Sequence, residues 1–167
     1  FNVFAVSVDT GHANVSLVKY NYSENGVEQN LIGIKMDMQK NWHTYWKNPG
    51  DSGGPIKVKW SHEEDLAICE IFWPTPSLIP YDPLMTYGYK DFVIFPFKFE
   101  NSGTINAPIT ADIDFLICDD ICVPEKAYIE TTIDEIVTDI NLQQWFAMVP
   151  TQTLPAKVSI DNNYIEI

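Results

Sequence analysis

The sequence contains no arginine: all 10 of its basic residues are lysines, set against 23 acidic residues for a formal net charge of −13. It therefore lacks the guanidinium that recognises phosphate in two-pronged fashion, and its field repels nucleic acid and anionic membrane surfaces. Nucleic acid is excluded as an expected partner. No apolar run approaches the ~20 residues that a helix needs to cross a bilayer. Three cysteines are too few for a disulfide scaffold. What is plentiful is apolar matter, 46% of the chain with 13% aromatic, which rules out disorder. The 11 prolines and 8 glycines suit many turns between short elements, and 167 residues suit a single core.

Alternation dominates the pattern and points to an all-β fold. Ile32, Ile34, Met36 and Met38 share one face of a period-two segment, and Ile56, Val58 and Trp60 repeat the pattern. The longest case runs through Ile105, Ala107, Ile109, Ala111, Ile113, Phe115 and Ile117, with Asp112 and Asp114 on the other face, and leads into Cys118. Further strands are expected at Asn14 to Tyr20, Leu66 to Trp73, Phe92 to Phe99 and Ala127 to Ile133, a count that favours a sandwich. Asn141 with Gln144 reads as the capping box of one short C-terminal helix carrying Leu142, Trp145, Phe146 and Val149, stopped by Pro150. This divides the chain into a domain over residues 1–150 and, over 151–167, a linker with the start of a following domain.

Cys118 and Cys122 lie four positions apart. Extended chain would separate their Cα atoms by roughly 13 Å, whereas a disulfide needs them within about 7 Å, so a turn is required, and Asp119 and Asp120 are good turn residues. As a staple such a bridge contributes little, about 2 kcal/mol in the loop-entropy description. The residues leave open an inert local bridge, two free thiols, or a pair suited to exchange. The adjacent aspartates disfavour a thiolate, so the disulfide is expected chiefly to be attacked by a partner's thiolate. Zinc is disfavoured because His12, His43 and His62 are scattered singly. Cys69 shares strand parity with Ala67, Ile71 and Trp73 and reads as a buried, inert core cysteine, with a bridge to Cys118 or Cys122 as the alternative.

Gly50 to Pro55 spells GDSGGP, the string around the nucleophilic serine of chymotrypsin-like proteases. In that family the serine comes last, after histidine and aspartate, whereas Ser52 lies in the first third of this chain; a tight glycine loop is the better reading. Trp42, Tyr45 and Trp46 form either a ligand platform or, by preference, core. Met36 and Met38 look like a copper pair but share a face with Ile32 and Ile34, which favours packing.

Four linked motifs, WHTYWKNPGDSGGP (Trp42 to Pro55), FWPTP (Phe72 to Pro76), TYGYK (Thr86 to Lys90) and LICDDICVPEKA (Leu116 to Ala127), resemble the amino-terminal periplasmic domain of the DsbD and ScsB family of thiol:disulfide reductases. The resemblance extends from about Asn14 to Pro150. It implies an immunoglobulin-like β-sandwich in the periplasm, part of an inner-membrane protein, whose redox pair is Cys118 and Cys122. Electrons would arrive from a membrane-embedded reductase domain of the same protein and leave to periplasmic thioredoxin-like or disulfide-isomerase proteins. No small-molecule cofactor and no metal is implied, and the isolated domain is expected to be a monomer. TYGYK resembles the family's cap loop, so Tyr87 or Tyr89 is expected to cover the disulfide, with Gly88 as its pivot. The three-residue spacing between the cysteines looks more like the ScsB branch, associated with copper tolerance, than the DsbD branch. The rival expectation is a non-catalytic ligand- or copper-binding sandwich with an inert bridge.

Overall fold

In a computed structural model the described residues are 6–62, 66–101, 108–151, 159–161 and 164–166. Their strands in chain order are β1 (Ser7–Asp9), β2 (Ala13–Glu24), β3 (Val27–Met38), β4 (His43–Gly50), β5 (Lys57–Ser61), β6 (Leu66–Ile68), β7 (Ser77–Tyr81), β8 (Leu84–Lys90), β9 (Phe92–Asn101), β10 (Pro108–Cys118), β11 (Cys122–Thr132) and β12 (Val137–Thr138). One helix, α1 (Asn141–Ala147), follows, then a backbone hairpin of β13 (Ser159–Asp161) and β14 (Tyr164–Glu166). The first sheet runs β1-β2-β3-β9-β6, with β12 added in parallel to β2; the second runs β11-β10-β4-β8-β7, with β5 paired to β10. The chain is all-β, an immunoglobulin-like sandwich with one short helix.

The core sits where the alternating faces meet. Ile109, Ala111, Ile113, Phe115 and Ile117 of β10 are buried against Ile32, Ile34, Met36 and Met38 of β3 and Phe95 and Phe97 of β9. Each large side chain so buried is worth about 1.5–3 kcal/mol. Both methionines that resemble a copper pair are therefore core residues. Ile105 and Ala107 lie outside the described residues, as do residues 152–158 of the expected linker.

The two outer faces differ, and this decides where chemistry is accessible. On the first sheet α1 lies over Gly33, where a Cβ would stand 2.6 Å from Ile94 Cγ2 and 2.8 Å from Leu142 Cδ1, so glycine lets the helix close down. Leu142 joins Val18, Leu31 and Ile94 in a second apolar cluster. The expected capping box is not formed. Asp139 does the capping instead, accepting from the Asn141 N–H at 2.9 Å and its side-chain amide at 2.8 Å. Burial alone would raise the Asp139 carboxyl, but the Asn141 and Lys35 hydrogen bonds hold it below its ordinary value.

Two further expectations are corrected here. The strand expected from Leu66 to Trp73 is regular only to Ile68; the Cys69 and Phe72 N–H groups still donate to the Lys98 and Pro96 carbonyls of β9, but with one extra residue between them. Ile68, Ile71 and Trp73 pack on the core, whereas Cys69 is a free, exposed thiol. Cys69 keeps the parity of Ala67, which is also exposed, while the extra residue after it turns Ile71 and Trp73 to the core. TYGYK is not a loop either: it lies within β8, between β4 and β7.

Candidate functional site

Strand β10 carries its alternation up to Cys118, the chain turns through Asp119, Asp120 and Ile121, and Cys122 opens β11. The two cysteines are the last directly opposed pair of this ladder, and cross-strand partners have Cβ atoms about 4.5–5.5 Å apart, close enough to be drawn into a bond. They form a disulfide with Cα atoms 4.1 Å apart. Cys69 takes no part in it.

The two sulfurs have different surroundings. Cys118 is 1% exposed, whereas Cys122 belongs to the exposed residues at the sheet edge, next to Ile121 at 67%. The Tyr45 hydroxyl donates to Cys118 Sγ at 2.9 Å and lies 3.4 Å from Cys122 Sγ. Strand pairing explains this placement. Cys118 lies opposite His43 on β4, and Tyr45, two positions on, projects from the same face. Tyr45 is itself 1% exposed, and burial pushes its hydroxyl above the ordinary range, against a weaker opposing effect of a hydrogen bond with Ser52. It remains a protonated donor at neutral pH.

The GDSGGP string finds its use here. Gly50 and Gly53 take left-handed φ values of 90° and 91°, and Asp51 ties the loop to β8, its N–H donating to the Met85 carbonyl at 3.0 Å and its carboxylate accepting from the Met85 N–H at 2.9 Å. A Cβ on Gly53 would stand 2.3 Å from the Tyr45 ring. The glycine loop thus closes over Tyr45, and Ser52 bonds the tyrosine hydroxyl.

His43 is buried beside Cys118 with its ring edge-on to Tyr45, centroids 5.3 Å apart. Burial first, then Lys90, push its pKa below the ordinary value, with Asp119 pulling the other way. Behind the site, Glu125 is buried on the core side of β11 and accepts from Thr10 Oγ1 and pairs with His12 Nδ1, while the His12 ring stacks on Trp42 at 3.9 Å. These contacts fasten the β1–β2 turn to the strand that starts at Cys122.

The expected cap residues go elsewhere. Tyr89 is 3% exposed, packs on Phe95 and Trp145, donates its hydroxyl to the Pro74 carbonyl at 2.8 Å, and has its pKa raised by burial. Gly88 is no pivot: it faces Tyr45 across the ladder at a point where a Cβ would meet the Thr44 carbonyl oxygen at 2.1 Å, so it permits close strand approach. Tyr87, 42% exposed and opposite Leu78, has the parity of Tyr89 and so projects away from the sulfur face. The aromatic on the disulfide is Tyr45. In the sequence Tyr45 stands only as one of a general aromatic cluster and Glu125 has no assigned role, although an acid in phase with Ala127 and Ile129 is a visible signal. Among the described residues no three His, Cys, Asp or Glu side chains gather as metal ligands, and no helix is long and apolar enough to cross a membrane.

Comparison with known proteins places the chain among thiol:disulfide interchange domains. The family model described as thiol:disulfide interchange protein DsbD, N-terminal, matches residues 16–133. The crystal structure of the N-terminal periplasmic domain of ScsB from Proteus mirabilis superposes with a TM-score of 0.66 at 20% identity, over 94% of this chain and 61% of that one. This chain therefore spans about three-fifths of that structure, and the likeness at this identity is one of fold. No curated protein matches the chain by sequence.

Proposed function

This chain belongs to the DsbD N-terminal family of thiol:disulfide interchange domains, and on that premise we propose that Cys118–Cys122 is a redox-active disulfide relaying electrons between proteins. The observation that carries the reading is the asymmetry of the bonded pair: one sulfur buried under a tyrosine hydroxyl, the other at the surface. A partner's thiolate attacks Cys122 Sγ along the S–S axis. The Cys118–Cys122 bond breaks, a mixed disulfide forms at Cys122, and Cys118 leaves with the bonding electron pair as a thiolate. A thiolate accepts a hydrogen bond far better than a disulfide sulfur does, so the Tyr45 contact strengthens as the charge develops. Attack by the partner's second thiol on its own sulfur in the mixed disulfide then releases reduced Cys122 and an oxidised partner. Run in reverse, the reduced pair reduces a substrate disulfide, with Cys122 as attacker and Cys118 resolving.

In this reading electrons come from a membrane-embedded reductase domain of the same protein and pass to periplasmic thioredoxin-like or isomerase proteins. No small-molecule cofactor takes part. The test is equilibration of the pair with glutathione. A relay has a potential within reach of thioredoxin-like partners, whereas a structural bridge lies below about −300 mV. In parallel, Cys118→Ser is expected to accumulate a mixed disulfide through Cys122. A potential in the structural range together with no trapped adduct leaves only a stapled sandwich.

A further inference from the structure

The sulfur face of the second sheet continues beyond the disulfide. In the β10–β11 ladder the next outward-facing pair after Cys118–Cys122 is Leu116–Pro124, followed by Asp114–Lys126, which form an ion pair. Alongside runs the end of the glycine loop, so close that a Cβ on Gly54 would lie 3.6 Å from Leu116 Cδ1. Leu116, Pro124, Gly54 and Pro55, with that ion pair at the far end, line a groove of about 470 Å³. On the other side of Cys122 the turn presents Asp119 and Asp120, both exposed, and contains no basic residue. The exposed sulfur therefore sits between an apolar groove and a negative turn.

Resting on the exchange reading above, we infer that the groove receives an apolar side chain of the redox partner, two positions from its reacting cysteine. A lysine or arginine on the other side of that cysteine meets Asp119 and Asp120. The spacing supports this, since Cys122 and Pro124 are two strand residues apart, roughly 7 Å, the distance between alternate residues of an extended partner segment. Charge supports it too: the chain carries a net charge of −13, and cationic flanks are attracted to the turn. The occupant is thus an extended, cationic cysteine segment of another protein with an apolar side chain in phase with the thiol.

The experiment uses the full chain with Cys69→Ser and Cys118→Ser, leaving Cys122 as its thiol, and short cysteine peptides activated as mixed disulfides with nitrothiobenzoate. The Cys122 thiolate attacks the peptide sulfur and the Cys122–peptide bond forms. The peptide–aryl S–S bond breaks, the coloured aryl thiolate leaves with the electron pair, and the Cys122 proton passes to buffer. Lys-Gly-Cys-Gly-Phe and Phe-Gly-Cys-Gly-Lys cover both chain directions. The better of them is expected to react about tenfold faster than Gly-Gly-Cys-Gly-Gly, as half-burial of a phenyl ring implies. Replacing its Lys by Asp should slow it, and high salt should narrow that difference. Leu116→Asn should shrink the advantage of Phe. Rates within about twofold across all peptides, or a Phe advantage untouched by Leu116→Asn, overturn the inference while leaving the exchange reading intact. A folded chain whose Cys122 reacts with none of the peptides overturns both.

Discussion

Removing one oxygen from the site tests the proposed chemistry most directly. Tyr45→Phe keeps the ring that the glycine loop closes over and deletes the hydroxyl that lies 2.9 Å from Cys118 Sγ. A hydrogen bond to a full negative charge is worth about 1.5–3 kcal/mol, so losing it destabilises the Cys118 thiolate and should raise the pKa of the reduced thiol. In the transition state roughly half of that charge has developed on the leaving sulfur. The barrier should then rise by about 0.7–1.5 kcal/mol, slowing reduction roughly 3- to 13-fold. Stopped-flow reduction by dithiothreitol, followed by tryptophan fluorescence, reads the rate, and thiolate absorbance of the reduced protein against pH reads the pKa. Wild-type rates in a variant with native near-ultraviolet circular dichroism would refute the role given to the tyrosine.

Other expectations follow from neighbouring contacts. Gly53→Ala forces a side chain into the left-handed region and into the Tyr45 ring, and should cost about 1–3 kcal/mol of stability by urea denaturation while slowing reduction in the same sense as Tyr45→Phe. For His43, burial first and then Lys90 place the folded pKa below 6.5, so on acidification the unfolded chain takes up the proton first. Stability from this residue is complete above pH 6.5, declines as pH falls below it, and should lose that dependence in His43→Gln. Denaturation midpoints measured across mildly acidic pH check the slope, and an unaltered slope in the variant would assign it elsewhere.

Local periodicity made much of the fold legible. The alternation of Ile109 to Ile117 is a property of one strand, and burying one of its faces needs no knowledge of the partner. The cysteine pair was readable for the same reason, since four positions across a turn fix both ends of one hairpin. The same habit misled where a strand slipped. Cys69 shares the exposed face of Ala67, and a one-residue slip against β9 after it puts Ile71 and Trp73 on the opposite face. At Thr86 to Lys90 the family pattern suggested a loop, whereas pairing with β4 and β7 on both sides made it a strand interior.

The amino-acid order by itself determined the two alternating faces, the hairpin that carries the disulfide, and the acidic turn between its cysteines. Tertiary structure alone decided which sulfur is covered and by what. Tyr45 and Cys118 are 73 residues apart, and their meeting depends on the register of β4 against β10, where a shift of one residue would send Tyr45 into the core. Register between distant strands is set by packing of the whole sandwich, and no local pattern in either strand records it.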